Sequence, residues 1–386
     1  MMPAGKYQLY PLLPYSRLVW DMMQTNPDIY SFRLTLRFPK GGVDTERLKC
    51  ALLTSVGNHP VFSMNIDENG MQYFQPQDDI LHGRFHSFDV KETETSVCID
   101  VKINRILGDA YSFGWLLQEL CRAYDSHELF ADDYLGYLDF IEQYKLTSQY
   151  RADEQFLQQE YGGIVNNVHP AVDTDALPDG FAQAGLVHDD MSGLRSAFSV
   201  IGKKYQLTVS QFLSLCAGMA IAEYNNSGEA ALTWAYLGRE TAQEMTIFGS
   251  LHKDIPLKIR RQKHAVYTAQ TNDRLLRQFA GQVESGIEHS ACPFTLLKPN
   301  TDVWNYAVNV IDEPSATETN QYSSLPMEIV FDDDTDSAYS LLDVQVSNGE
   351  QLIVTYRYSA AHYKESSIRR FARLVHKYAK QLSITE

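Results

Sequence analysis

At 386 residues the chain is long enough for about two domains with substantial cores. It carries 33 Lys and Arg against 49 Asp and Glu, a formal charge of −16, which argues against nucleic acid or an anionic membrane as partner. No stretch approaches ~20 apolar residues, so neither a membrane span nor, in the N-terminal MMPAGKYQLYPLLPYS, a secretory signal is expected. Five cysteines (Cys50, Cys98, Cys121, Cys216, Cys292) lie scattered without CxxC spacing, which fits reduced thiols and a cytoplasmic location better than a disulfide scaffold.

In LLPYSRLVWDMM, Pro14 leads into a helix carrying Arg17 and Trp20. Tyr30, Phe32, Leu34, Leu36 and Phe38 then alternate with Ser31, Arg33, Thr35 and Arg37, which predicts a strand. VDTERLKCALLTSVGNHPVF begins with Asp44 or Thr45 as a cap and sets Leu48, Ala51, Leu52 and Val56 on one helical face. His59 and Pro60 close that helix as a structural turn, and Asn69-Gly70 marks a hairpin.

Residues 97–120 are the centre of the chain. Val97, Ile99, Val101 and Ile103 alternate with Cys98, Asp100 and Lys102, the period of a half-buried strand. A helix is expected from near Ser112, its cap, with Phe113, Leu116, Leu117 and Leu120 on one face. Between strand and helix lies a polar knot of Asn104, Arg105, Gly108 and Asp109. YLGYLDFIEQY follows, with Tyr137, Asp139 and Phe140. Residues 162–190 show no period and are rich in Gly, Pro, Asp and Asn, which reads as a crossover between lobes.

In the second half Thr208 and Gln211 can form a capping box ahead of an apolar face made by Phe212, Leu215, Cys216, Met219 and Ala220, and Asn226 to Gly228 ends the helix. The strand ALTWAYL runs into Gly238, Arg239 and Glu240. LIVTYRY reads as a strand and SSIRRFARLVHKYAKQL as a closing amphipathic helix. Nucleotide and zinc sites have no support, since no Gly-rich phosphate loop, HExxH or paired CxxC occurs. The acidic run FDDDTDS at 331–337 lacks the Gly and distal Glu of a calcium loop and reads as a solvated turn. Cys292, three residues from His289, could be offered as a nucleophile, but Pro293 argues for a loop and a buried structural thiol.

These segments resemble, in order, the motifs of the condensation domains of nonribosomal peptide synthetases, within the chloramphenicol-acetyltransferase-like superfamily. Where the family has HHxxxDG, a Ser and a helix, this chain has Asn104, Arg105, Ile106, Leu107, Gly108, Asp109 and Ala110, then Ser112. Pro14, Arg17 and Trp20 match the first motif, His59 the second, and Tyr137, Asp139 and Phe140 the fourth, without its Trp. TIFGSLHKDIPLKI is similar to IGxFVNTLPLR through Phe248, Gly249, Leu251, Ile255, Pro256, Leu257 and Lys258, with Lys253 in place of the Asn. EHSACPFTLL matches HQDxPF through His289, Pro293 and Phe294, and the last motif, RDxSRNPL, has no counterpart.

The resemblance implies an α/β (α+β) fold of two acetyltransferase-like lobes forming a V with a central cleft or tunnel. We expect an N-terminal lobe over 1–165, a linker over 166–190 and a C-terminal lobe over 191–386. It implies substrates carried as acyl or aminoacyl thioesters on the phosphopantetheine arm of an acyl or peptidyl carrier protein, with no cofactor bound directly and with adenylation or tailoring enzymes as further partners. Arg17, Trp20, Gly249, His289 and Pro293 would be tunnel or motif positions.

In the family the second His helps an amine or hydroxyl attack the thioester, and the Asp pairs with a distant Arg. Arg239, in a Gly-Arg after its strand, is the expected partner of Asp109, with Ser112 as a structural companion. Arg105 cannot replace the His as a base, because a guanidinium stays protonated at physiological pH. Asn104, Arg105 and Asp109 are therefore the candidate catalytic set of an impaired or altered acyltransferase. Two alternatives stand beside it: a non-catalytic module recruiting a carrier protein or tailoring enzyme, and a heterocyclisation-like activity using Asp109 and Ser112, since that variant's motif is DxxxxDxxS. The chain's start and stop suggest a free-standing protein, although an excised domain would look the same.

Overall fold

Where apolar residues alternate the chain extends, and where they recur at three and four it coils. In the computed structural model, which describes residues 7–24, 31–164, 166–174, 183–261, 266–293, 307–313, 325–331 and 340–384, the chain opens with β1 (Tyr10–Pro11), α1 (Pro14–Met23), β2 (Ser31–Pro39) and α2 (Thr45–Gly57). It continues through β3 (Met64–Ile66), β4 (Met71–Phe74), β5 (His82–Gly83), β6 (His86–Glu92), β7 (Ser96–Asn104), α3 (Ala110–Tyr124), α4 (Tyr134–Tyr144) and α5 (Ser148–Tyr161). Then come β8 (Ala184–Asp190), α6 (Arg195–Tyr205), α7 (Val209–Tyr224), β9 (Glu229–Tyr236), β10 (Lys253–Arg260) and α8 (Ala269–Glu288). The last elements are β11 (Asn309–Glu313), β12 (Glu328–Phe331), β13 (Leu342–Asn348), β14 (Leu352–Ser359) and α9 (Glu365–Leu382). No single helix among the described residues is long and apolar enough to cross a membrane. Phe294 and most of the acidic run lie outside the described residues.

The chain forms two compact units. The first comprises Met1–Leu146, Leu237–His252 and Ala316–Asp334, and the second Thr147–Tyr236, Lys253–Ser315 and Thr335–Glu386. This differs from the expected boundaries at 165 and 190. Residues 147–165 belong to the second unit, residues 237–252 return to the first, and part of the expected linker is strand β8. Of the residues in β8 only Val187 is buried, so an edge strand with little apolar content carried no readable period.

The first unit holds a five-stranded antiparallel sheet of order β12-β2-β7-β6-β5 and a small sheet of order β1-β4-β3. Leu34, Leu36 and Phe38 of β2 face Val101, Ile99 and Val97 of β7, and all six are buried. The hairpin at Asn69-Gly70 joins β3 to β4, with Gly70 at φ +74°, a conformation open to glycine at no steric cost. Asp44 caps α2 by accepting from the backbone N of Arg47. The cap of α3 is Asp109 rather than Ser112: its side chain accepts from the backbone N of Ser112, and a carboxylate there also suits the positive end of the helix dipole.

The second unit is built on a six-stranded sheet of order β10-β9-β11-β13-β14-β8, in which β11 runs parallel to β9 and β13 and the other neighbours are antiparallel. Helix α7 starts with a capping box between Thr208 and Gln211. Its burial is not confined to the expected face. Every residue from Ser210 to Ala222 is buried, because α7 packs both on the sheet and against α9.

In the first unit His59, just past α2, is fully enclosed. Its Nδ1 lies 2.6 Å from Asp132 Oδ2, and its Nε2 lies 2.6 Å from Glu119 Oε2 of α3, out of line for a hydrogen bond. Burial pulls the imidazole pKa down, but the two carboxylates outweigh it and hold the pKa above its ordinary value of 6.5. A raised folded pKa gives stability that is complete below the unfolded pKa and is lost as pH rises through the folded one. Urea unfolding should therefore show stability declining on the alkaline side of 6.5, a limb missing in His59→Leu. That variant, which leaves two buried carboxylates without their cation, should also lose about 3–5 kcal/mol.

Candidate active site

Strand β7 ends in a tight turn rather than an open loop. Asn104 is buried; its backbone N donates to the Phe85 carbonyl at 2.8 Å, its Oδ1 accepts from the backbone N of Ile106 at 2.9 Å, and its carbonyl accepts from Leu107 at 3.0 Å. This is the local bonding that lets Asn shape a turn, so its side-chain oxygen is engaged within the protein. Ser16 of α1 donates to the Ile106 carbonyl at 2.9 Å and braces the turn from outside. A Cβ on Gly108 would come within 2.6 Å of the Phe248 ring, so only glycine fits. Arg105 is half-buried, with its Cζ 4.6 Å above the ring of Phe32, which in turn stacks on Phe113 at 6.0 Å.

Asp109 follows and is saturated with donors. Its Oδ1 accepts from the backbone N of Ser112 at 2.9 Å and lies 2.9 Å from the Ser112 hydroxyl. Its Oδ2 accepts from Arg239 Nη1 at 2.8 Å and from the backbone N of Leu251 and His252 at 3.0 and 3.1 Å. Burial raises the carboxyl pKa, but the charges of Arg239 and His252 and these hydrogen bonds prevail, holding it below the ordinary carboxylate value. Arg239, whose side chain is fully buried, also donates through Nη2 to Ser112 Oγ and the Gly249 carbonyl, both at 2.9 Å, and its Cζ sits 4.5 Å over Tyr111. Ser112 Oγ has one proton to give, lies 2.7 Å from the Gly249 carbonyl and accepts from the Gly249 backbone N at 3.0 Å. Gly249 is closely hemmed, since a Cβ there would meet Tyr134 at 2.7 Å.

The first unit thus gathers Asn104, Arg105, Asp109, Ser112, Arg239 and Gly249 around one turn. Arg17 and Trp20 stand elsewhere in that unit. Arg17 pairs with Asp21 along α1 and lies against Gly70, whereas Trp20 lies under Arg84, Cζ to ring 5.2 Å. His289 and Pro293 belong to the second unit. His289 follows α8, with Nδ1 2.8 Å from Asp153 Oδ1 and its ring stacked on Phe156 at 4.0 Å. Pro293 comes directly after Cys292. Burial pushes the Cys292 thiol up to about 11, so at neutral pH it is an inert structural thiol.

The pairing of Asp109 with Arg239 corrects one expectation. A heterocyclisation-like role needs an Asp109 carboxylate free to exchange protons, and here it is buried, ion-paired and fully hydrogen-bonded. The residue that the sequence reading passed over is His252. Its ring meets Tyr15 edge-on at 4.2 Å between centroids, and its Nδ1 is 4.0 Å from Asp109 Oδ2. A signal was present: with Gly249 and Pro256 in register, His252 stands where the motif IGxFVNTLPLR has an apolar Val.

Removing Arg239 would leave Asp109 buried without its counter-ion. Arg239→Met should cost about 3–5 kcal/mol in urea unfolding. Arg239→Lys should recover only part of that, because an ammonium cannot reproduce the guanidinium's two-pronged reach to Asp109, Ser112 and Gly249.

Comparison with known proteins gives the fold and the family. The chain is similar to the solved condensation domain of the monacolin K polyketide synthase MokA at 15% identity, covering 98% of each chain with a TM-score of 0.74. It is similar to VibH, a condensation enzyme of nonribosomal peptide synthesis, at 16% identity over 96% of each chain with a TM-score of 0.74. A variant of the starter condensation domain of rhizomide synthetase RzmA, solved in complex with C8-CoA, matches at 13% identity, with 97% of this chain and 95% of that one covered and a TM-score of 0.73. No curated protein sequence matches. The Condensation domain family model matches residues 84–383, and the chain, with its mixed sheets and helices of acetyltransferase-like fold, belongs to the condensation domain family.

Proposed function

We propose that this protein transfers an acyl or aminoacyl group from a carrier-bound thioester, in nonribosomal peptide or related biosynthesis in the cytoplasm, by an altered form of the family reaction. The observation that carries the reading is the contrast inside one turn. The framework around Asp109, Arg239 and Ser112 is complete, while position 105 holds a permanent cation seated on Phe32. A guanidinium there cannot accept a proton, but it can stabilise the negative charge that develops on a thioester carbonyl oxygen under attack. Asn104 supports this by fixing the turn rather than by meeting substrate, since its Oδ1 is bonded to Ile106. The donor and acceptor would arrive on the phosphopantetheine arms of acyl or peptidyl carrier proteins, loaded by adenylation enzymes.

A second reading is a binding module that holds a carrier protein or a tailoring enzyme without chemistry, and the engagement of both Asn104 and Arg105 in local contacts favours it. Product formation from carrier-loaded donor and acceptor separates the two. Arg105→Ala should lower kcat by about 10²–10³, the usual cost of losing one oxyanion donor. If wild type and Arg105→Ala share the same background turnover, while carrier binding persists in both, acyl transfer is wrong and the binding reading stands.

A further inference from the structure

We propose that His252 is the proton acceptor of this acyl transfer, standing in for the imidazole that position 105 lacks; the inference rests on the acyl-transfer reading given above. The residue is anchored by its backbone and by a ring contact. Its backbone N donates to Asp109 Oδ2 at 3.1 Å, and its ring is set edge-on against Tyr15 of α1 at 4.2 Å. Other buried or half-buried histidines have committed a ring nitrogen, among them His59 to Asp132, His86 to the Ile80 carbonyl and His289 to Asp153. In His252, by contrast, Nδ1 is buried with no hydrogen-bond partner among the described residues, and the side chain keeps 19% of its surface open. A buried, unpaired polar atom calls for an explanation, and here the neighbouring charge supplies one.

The nearest charge to that nitrogen is the Asp109 carboxylate, 4.0 Å away, too far for a hydrogen bond but close enough to favour a proton on Nδ1. The lone pair then resides on Nε2. The charged and titratable groups of the first unit facing the ring are Asp109 from the start of α3, Arg239, which shares that carboxylate, and Tyr15 from α1. In the step proposed, the acceptor amine nitrogen bonds to the thioester carbonyl carbon while Nε2 takes one of its protons. The carbon–sulfur bond then breaks, the imidazolium returns that proton to the departing thiolate, and an amide and a free thiol remain. Asp109 stabilises the transient imidazolium without itself being protonated.

The test measures amide formation from a carrier-bound acyl thioester and an amine across about pH 5 to 9, for wild type, His252→Ala and His252→Gln. The expected result is a loss of about 10²–10⁴ in kcat/KM in both variants, together with disappearance of the acid-side fall in the pH–rate profile. His252→Gln keeps a polar side chain of similar reach, so unchanged thermal unfolding in that variant assigns the loss to chemistry. Wild-type rates in folded His252→Gln, or a reduced rate that keeps the acid-side limb, overturn the proposal and leave the acyl-transfer reading intact. A wild type that is inactive towards every carrier-bound pair overturns both. Imidazole nitrogen NMR of the wild type gives a readout without turnover: a proton on Nδ1 is expected, and one resident on Nε2 sinks the role assigned here.

Discussion

The ion pair between Asp109 and Arg239 is the interaction on which the candidate site depends. Two charges withdrawn from water are costly unless every remaining lone pair and proton is satisfied, and here the satisfaction is nearly complete: the carboxylate takes the guanidinium, Ser112 and two backbone amides, and the guanidinium reaches a hydroxyl and backbone carbonyls. That pairing ties the start of α3 to the segment 237–252, which lies more than a hundred residues further along the chain yet belongs to the same unit. It also fixes the backbone of His252, because one of those amides is its own.

The same saturation decides which chemistry the turn can support. A carboxylate with this many donors stays ionised and cannot act as a proton shuttle, so Asp109 is a framework group. Asn104 is drawn into the turn it forms, and Arg105 lies on an aromatic face. The turn and its surroundings thus combine a fixed cation, Arg105, and an imidazole, His252, around one framework carboxylate.

Further from the site, the enclosed His59 plays a comparable framework role. It joins the end of α2 to Glu119 on α3 and to Asp132, and Asp132 also accepts from the backbone N of Phe248 at 3.0 Å. Two buried polar centres, each with one cation-forming side chain and at least one carboxylate, thus hold α3 against its surroundings. Such centres add specificity of arrangement where an apolar contact would tolerate slippage.

The sequence by itself determined the periodic elements. The alternation in 97–103 and 32–38, the caps at Asp44 and Thr208 and the hairpin at Asn69-Gly70 are local rules of backbone and burial, so they need only neighbouring residues to be read. The order of the motifs also carried the family. The tertiary structure alone decided how the chain is divided, because strand β8 has too few buried residues to leave a period and because residues 237–252 return to a unit the chain had left. It alone made Asp109, rather than Ser112, the cap of α3, and it alone put the His252 imidazole beside that carboxylate, since a contact between residues 109 and 252 leaves no mark in either one's local sequence.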